Sequence, residues 1–268
     1  MVADDTVLEA ALRRDRWMAV ASLAGITILA WIYLVVLAKA MASMENASGW
    51  AAFMGLMPMG GWGPLEYALA FAMWALMMVG MMIPSAAPMI VLYARVARRA
   101  QFQSQPLAST NTFAAGYLLV WGAFSLVAAS IQGALVDLAL VTNMMTSANA
   151  VLSGSVLIAA GLYQWTPMKQ ACLSHCRSPI HFLSQRWRPG TWGALRMGIE
   201  HGAYCVGCCW ALMGVLFAVG IMNLLWIAAI AAFVLIEKAT PFSIWTRRVS
   251  GALLVAWGIV MLVEPGAS

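Results

Sequence analysis

Two short stretches of this chain bring soft metal donors within reach of a single ion. Cys172, His175 and Cys176 stand at i, i+3 and i+4, so a helix would present all three on one side. His201, Cys205 and Cys208 lie within about 60° of one another on a helical face, with Cys209 one step round. The i, i+4 spacing of His201 and Cys205 lets both side chains reach one ion, as paired ligands do on metalloenzyme helices. All five cysteines and all three histidines fall between Cys172 and Cys209. Mixed Cys/His sites suit zinc, cuprous copper or iron–sulfur chemistry, and these spacings match none of the common iron–sulfur patterns. A single buried cysteine packs as a small hydrophobe and carries little, whereas three beside a histidine on one helix carry more. His181 reads as an interfacial polar residue as readily as a ligand.

Methionine favours copper over zinc. The stretch MWALMMVGMMIPSAAPM sets Met78, Met82, Ser85 and Met89 on one helical face, with Pro84 and Pro88 loosening that helix. Thioethers are soft and select cuprous copper, although methionine is also an adaptable packing residue. Met41, Met44, Met54, Met57 and Met59, then Met144 and Met145, cluster in two connecting segments. Pro167 kinks or restarts the chain before the first cysteine cluster and Pro179 ends it. Lys169 and Arg177 flank these thiols and should favour thiolates. Glu200 either orients the His201 imidazole or solvates the start of its helix. Glu237 and Lys238 read as interfacial anchors, as does Asp137 near Gln132.

The elements that position these residues are apolar helices. Only 9% of the 268 residues are charged and 63% are hydrophobic, too little polar surface for a water-soluble domain. The expected fold is an all-α integral membrane protein, a polytopic bundle of about seven transmembrane helices. Seven segments approach the span length of about 20 residues: 17–38, 66–93, 112–136, 150–170, 193–218, 222–238 and 249–263. The division between the fifth and sixth rests on a turn near Gly220 and Asn223. Residues 1–16 form a cytoplasmic N-terminal segment and 17–268 a single transmembrane domain. The charged start runs into an apolar stretch too long for a signal-peptide core. With the N-terminus cytoplasmic, every Lys and Arg except Lys39 falls on the inner side. That placement accounts for the net charge of +5 without nucleic acid. It also sets both Cys/His clusters at the reducing face, which argues against structural disulfides.

The chain resembles a bacterial domain-of-unknown-function family of predicted metal-binding integral membrane proteins. The resemblance is carried by MMIPSAAPM, YQWTPMKQACLSHCRSP and GIEHGAYCVGCCWALM, and runs from about Phe71 to the last span. It implies a multi-span, metal-binding protein of the bacterial inner membrane. It implies no reaction.

The expected function is membrane-embedded binding of a soft transition metal, cuprous copper foremost, for uptake, storage or delivery to a membrane metalloenzyme. Its candidate ligands are Cys172, His175, Cys176, His201, Cys205, Cys208 and Cys209, with Met78 and Met82. Partners are then the lipid bilayer and a metallochaperone or metalloenzyme, and a homo-oligomer is compatible with all of this. Two other readings remain. One is a thiol oxidoreductase using Cys172/Cys176 or Cys208/Cys209, with haem ligation by His201 and His181 or His175 as a variant. The other is a structural or assembly subunit of a larger complex.

Overall fold

The computed structural model describes residues 2–45, 62–102, 110–140, 149–240 and 243–263. Among them all regular structure is helical. In chain order the helices are α1 (Val2–Glu45), α2 (Pro64–Phe102), α3 (Thr110–Asp137), α4 (Ala150–Gln164) and α5 (Pro167–Arg177). Then come α6 (Pro179–Arg186), α7 (Gly190–Gly214), α8 (Leu216–Val219), α9 (Leu224–Ala239) and α10 (Ser243–Val263). Five stretches are long and apolar enough to cross a membrane: Trp17–Ala40, Pro64–Ala100, Thr110–Asp137, Gly190–Val219 and Ile244–Val263.

Two of the seven expected spans fall outside these five. The fourth stops at Gln164 and the sixth is α9, with 15 and 16 residues. At a rise of about 1.5 Å per residue each covers about 22–24 Å, below the roughly 30 Å of a hydrocarbon core. The break after Gln164 has a local cause. Thr166 caps α5, its Oγ1 accepting from Lys169 N at 3.3 Å, and Pro167 occupies the first turn. Pro179 opens α6 in the same way, as a start and not only a stop. Gly220 makes the turn into α9 at φ +101°, where a side chain would be strained, and Asn223 caps that helix through Leu225 N and Trp226 N. The expected division between the fifth and sixth segments falls at this turn.

Glycine sets the helix pairing. A Cβ on Gly161 would stand 2.7 Å from Gly251 O, and one on Gly258 would stand 2.7 Å from Gly154 O. Backbone contact at both ends makes α4 and α10 close antiparallel partners. In α3 and α7, Gly116 lies against Gly198 and Val120 against Gly202, so these two helices run parallel. Pro84 cannot donate to Gly80 O, and that carbonyl instead accepts from Trp31 Nε1 on α1 at 3.2 Å. Trp74 Nε1 donates to the buried Gln132 Oε1 at 2.7 Å, tying α2 to α3, while Asp137 is exposed.

Polarity is arranged inside out. Ser125, Gln132, Gln164, Lys169, His201 and Glu237 are buried, whereas Leu119, Leu126, Val127, Leu253 and Val263 face outward. That distribution suits helices surrounded by lipid, where polar side chains turn into the bundle.

Candidate metal centre

Four of the five sulfhydryls meet where α2, α3, α5, α7 and α9 converge. On α7, Cys205, Cys208 and Cys209 are buried, and the helical repeat places Cys208 and Cys209 about one turn beyond Cys205. Cys208 Sγ and Cys209 Sγ reach back to Cys205 O at 3.1 and 2.8 Å. Cys176, near the end of α5, brings its Sγ within 4.0 Å of Cys208 Sγ. From α2, Met82 Sδ lies 3.9 Å from Cys209 Sγ. Gly207 permits the approach of α5 to α7: a Cβ there would stand 2.7 Å from Cys172 Sγ. All five cysteines are free thiols.

Oxygen and nitrogen groups complete the cluster. Tyr117 Oη on α3 lies 3.2 Å from Cys205 Sγ and donates to Met82 O at 3.3 Å. Lys238 Nζ on α9 lies 3.0 Å from Cys205 Sγ and 3.0 Å from Ser85 Oγ. The ammonium is the counter-charge an ionised sulfur needs in a low-dielectric site. Hydrogen bonds to Cys205 and Cys208 hold the Cys176 thiol well above its ordinary value, and desolvation adds to them. Partial burial, with Cys208 beside it, pushes the Cys172 thiol up as well.

The expected ligands do not all gather. Cys176, Cys205, Cys208, Cys209 and Met82 do, and Cys172 lies at their edge. Met78 is fully buried one turn before Met82 on α2. His175 stacks on Tyr204, ring centroids 4.1 Å apart, with its Nδ1 on Ala171 O at 2.8 Å. His201 is buried among Phe113, Tyr117 and Phe182, and its Nδ1 has no hydrogen-bond partner. His181 is exposed. Met41 and Met44 have no described side chains, and Met54, Met57, Met59, Met144 and Met145 lie outside the described residues.

Several charged residues behave differently from expectation. Lys169 and Arg177 have recorded partners other than the thiols. Lys169, about 10 Å along the helix axis from Cys176, is buried against Glu237 Oε2 at 2.9 Å and Gln164 Oε1, and Arg177 donates to Thr240 O. Glu200 orients no imidazole: it holds Arg186, Arg188 and Arg196 at 3.4, 3.2 and 3.3 Å. Glu237 and Lys238 are not interfacial anchors but reach inward from the last turn of α9. Lys238 and Tyr117 are the site residues that sequence spacing missed. The one available signal was a lysine closing a strongly apolar helix, which an interface explains equally well.

Among the described residues, no group of three or more His, Cys, Asp or Glu side chains is arranged to hold a metal ion as it stands. The sulfurs nevertheless pair at suitable separations. Two sulfurs 4.0 Å apart, each about 2.3 Å from one ion, subtend about 120° at it. The donor set is soft throughout, and an unpartnered buried His201 Nδ1 stands one turn from Cys205. These residues fit a thiophilic cation that accepts few ligands.

No curated protein and no solved structure matches the chain. The family described as PpoB2, copper chaperone, matches residues 71–261, which hold every residue of the sulfur cluster. The chain belongs to this copper chaperone family.

Proposed function

We propose that this protein holds a single cuprous ion in the Cys176, Cys205, Cys208, Cys209 and Met82 cluster inside a bacterial inner membrane and passes it to a membrane metalloenzyme. The observation that carries the reading is the convergence of four thiols and a thioether from three helices, with Cys176 and Cys208 sulfurs 4.0 Å apart and Cys209 and Met82 sulfurs 3.9 Å apart. Thiolates serve cuprous copper and zinc alike, and the Met82 thioether among them favours cuprous copper. Copper here is cargo. It enters and leaves by exchange among sulfurs, for which a site with more donors than the ion uses is suited.

The chain crosses seven times, with residues 1–16 in the cytoplasm and residues 17–268 as one membrane domain. Support comes from helix directions: α3 runs parallel to α7 and α4 antiparallel to α10, as strict alternation requires. The short α4 and α9 lie against longer neighbours, and local thinning of the bilayer accommodates them. The sulfur cluster then faces the cytoplasmic side, where thiols stay reduced and a soluble metallochaperone has access.

Elemental analysis of detergent-purified protein tests the reading. Wild-type protein loaded under reducing conditions should retain about one copper per chain, and the Cys205→Ser, Cys208→Ser double variant should retain none. Equal copper in both would end it. The Cys176–Cys208 pair also favours a thiol oxidoreductase as a second reading. Thiol titration before and after mild oxidation separates the two: only the oxidoreductase yields a disulfide that a substrate thiol re-reduces.

A further inference from the structure

Away from the sulfurs, a polar cavity of about 630 Å³ opens between the end of α4, the start of α5 and the start of α10. Gln164, Trp165, Gln170, Ile244, Arg247 and Arg248 line it. In a protein so poor in charge, two adjacent arginines and two glutamines around one cavity need a reason. Arg247 is only 7% exposed, and among the described residues no carboxylate lies within ion-pair distance of it. Its recorded partner is neutral: Nη2 donates to Gln170 Oε1 at 3.3 Å. Arg247 Nε and Gln164 Nε2, both buried, have no acceptor among the described residues.

A guanidinium buried without counter-charge is expensive, and an orphaned donor beside it adds to the cost. The neighbouring pair does not relieve it, because Glu237 is already taken by Lys169 at 2.9 Å. Two positive charges and two orphaned N–H donors thus surround a cavity with no negative group among its lining residues. We propose that this cavity binds a phosphate group, held by Arg247 and Arg248 and by the Gln164 amide. Arginine suits phosphate because its planar fork meets two oxygens at once. Trp165 and Ile244 at the rim are about half exposed and apolar, so an acyl chain could run along them. The phosphate belongs either to an anionic phospholipid headgroup or to free inorganic phosphate.

Full-length protein, delipidated in detergent, decides. Native mass spectrometry and thermal melts would follow binding of phosphatidylglycerol, of inorganic phosphate, and of monoglucosyl diacylglycerol, which has the chains but no phosphate. Phosphatidylglycerol binding well above the glucolipid assigns a lipid phosphate. A melting shift with inorganic phosphate that phosphatidylglycerol does not exceed assigns the free anion. Arg247→Gln should weaken the bound ligand by about tenfold or more, the worth of one charged hydrogen bond. Gln170→Glu places a carboxylate directly on Arg247 and should abolish binding while keeping the melting temperature at or above the wild-type value and copper content unchanged. That variant carries the test should Arg247→Gln fail to fold. Glucolipid binding equal to phosphatidylglycerol, no binding of either phosphate source, or undiminished binding by Gln170→Glu would overturn the proposal.

Discussion

Lys238 Nζ lies 3.0 Å from Cys205 Sγ, although the two residues are 33 positions apart and sit on different helices. An ammonium and a cuprous ion carry the same charge, and both are drawn to the same sulfur. Copper bound at Cys205 takes up much of the sulfur's negative charge, so the sulfur's hold on the ammonium weakens. The nearby Ser85 Oγ, 3.0 Å away, gives Nζ a partner on α2 to retain.

This weakening predicts a change in lysine reactivity. Copper loading should raise the rate at which Lys238 is acylated by an amine-directed reagent severalfold, as read by peptide mass spectrometry. In Cys205→Ser the rate should no longer respond to copper. An unchanged rate on loading wild-type protein would mean that copper does not use Cys205.

The ligands should also rank by position. Cys205→Ser and Cys208→Ser, at the centre of the cluster, should each weaken copper retention against a competing chelator by about tenfold to a hundredfold. His175→Ala should change it little, because that ring is stacked on Tyr204. Cys172→Ser should fall between, since its sulfur packs at the edge against Gly207. Competition titrations on the four variants check the order.

Much of this site was legible in the sequence because its cysteines are local. The spacings 172/176 and 201/205/208 are helical repeats, and a repeat fixes which side chains share a face. Alternating basic segments placed both clusters at one end, so that their meeting followed. What spacing does not encode is which distant residue arrives across a helix–helix contact. Lys238 and Tyr117 come from helices 33 and 88 positions away from Cys205. His175 shares its face with Cys176 yet finds a better partner in a neighbouring aromatic ring. The fourth segment ended early because Thr166 and Pro167 stop one helix and start the next, and a span drawn to residue 170 ran across that break.

Close helix pairing depends on glycine, and the dependence can be measured away from the metal. Gly161→Val would drive a side chain into Gly251 O and into Val255 Cγ2, each 2.7 Å from the added Cβ. Overpacking of this kind costs about 1–3 kcal/mol. The melting temperature in detergent should fall, while copper per folded chain stays at the wild-type value because α4 and α10 supply no sulfur.

The buried pair of Lys169 and Glu237 gives the last prediction. Both side chains are almost wholly buried, 0% and 1% exposed, and they face each other at 2.9 Å. Removing one partner leaves an uncompensated charge in an apolar bundle, so Glu237→Gln should destabilise the protein by about 3–5 kcal/mol. Removing both charges should cost far less, since well-packed apolar replacements of a buried pair are often neutral. The double variant Lys169→Met, Glu237→Leu should therefore melt close to wild type while each single variant melts well below it. Its copper content carries a further meaning. Glu237 directly precedes Lys238, so the ion pair fixes the end of α9 that presents the ammonium to Cys205. If the double variant is stable but its Lys238 no longer responds to copper, the pair serves to aim Lys238. If the response survives, the pair serves only to hold α5 against α9.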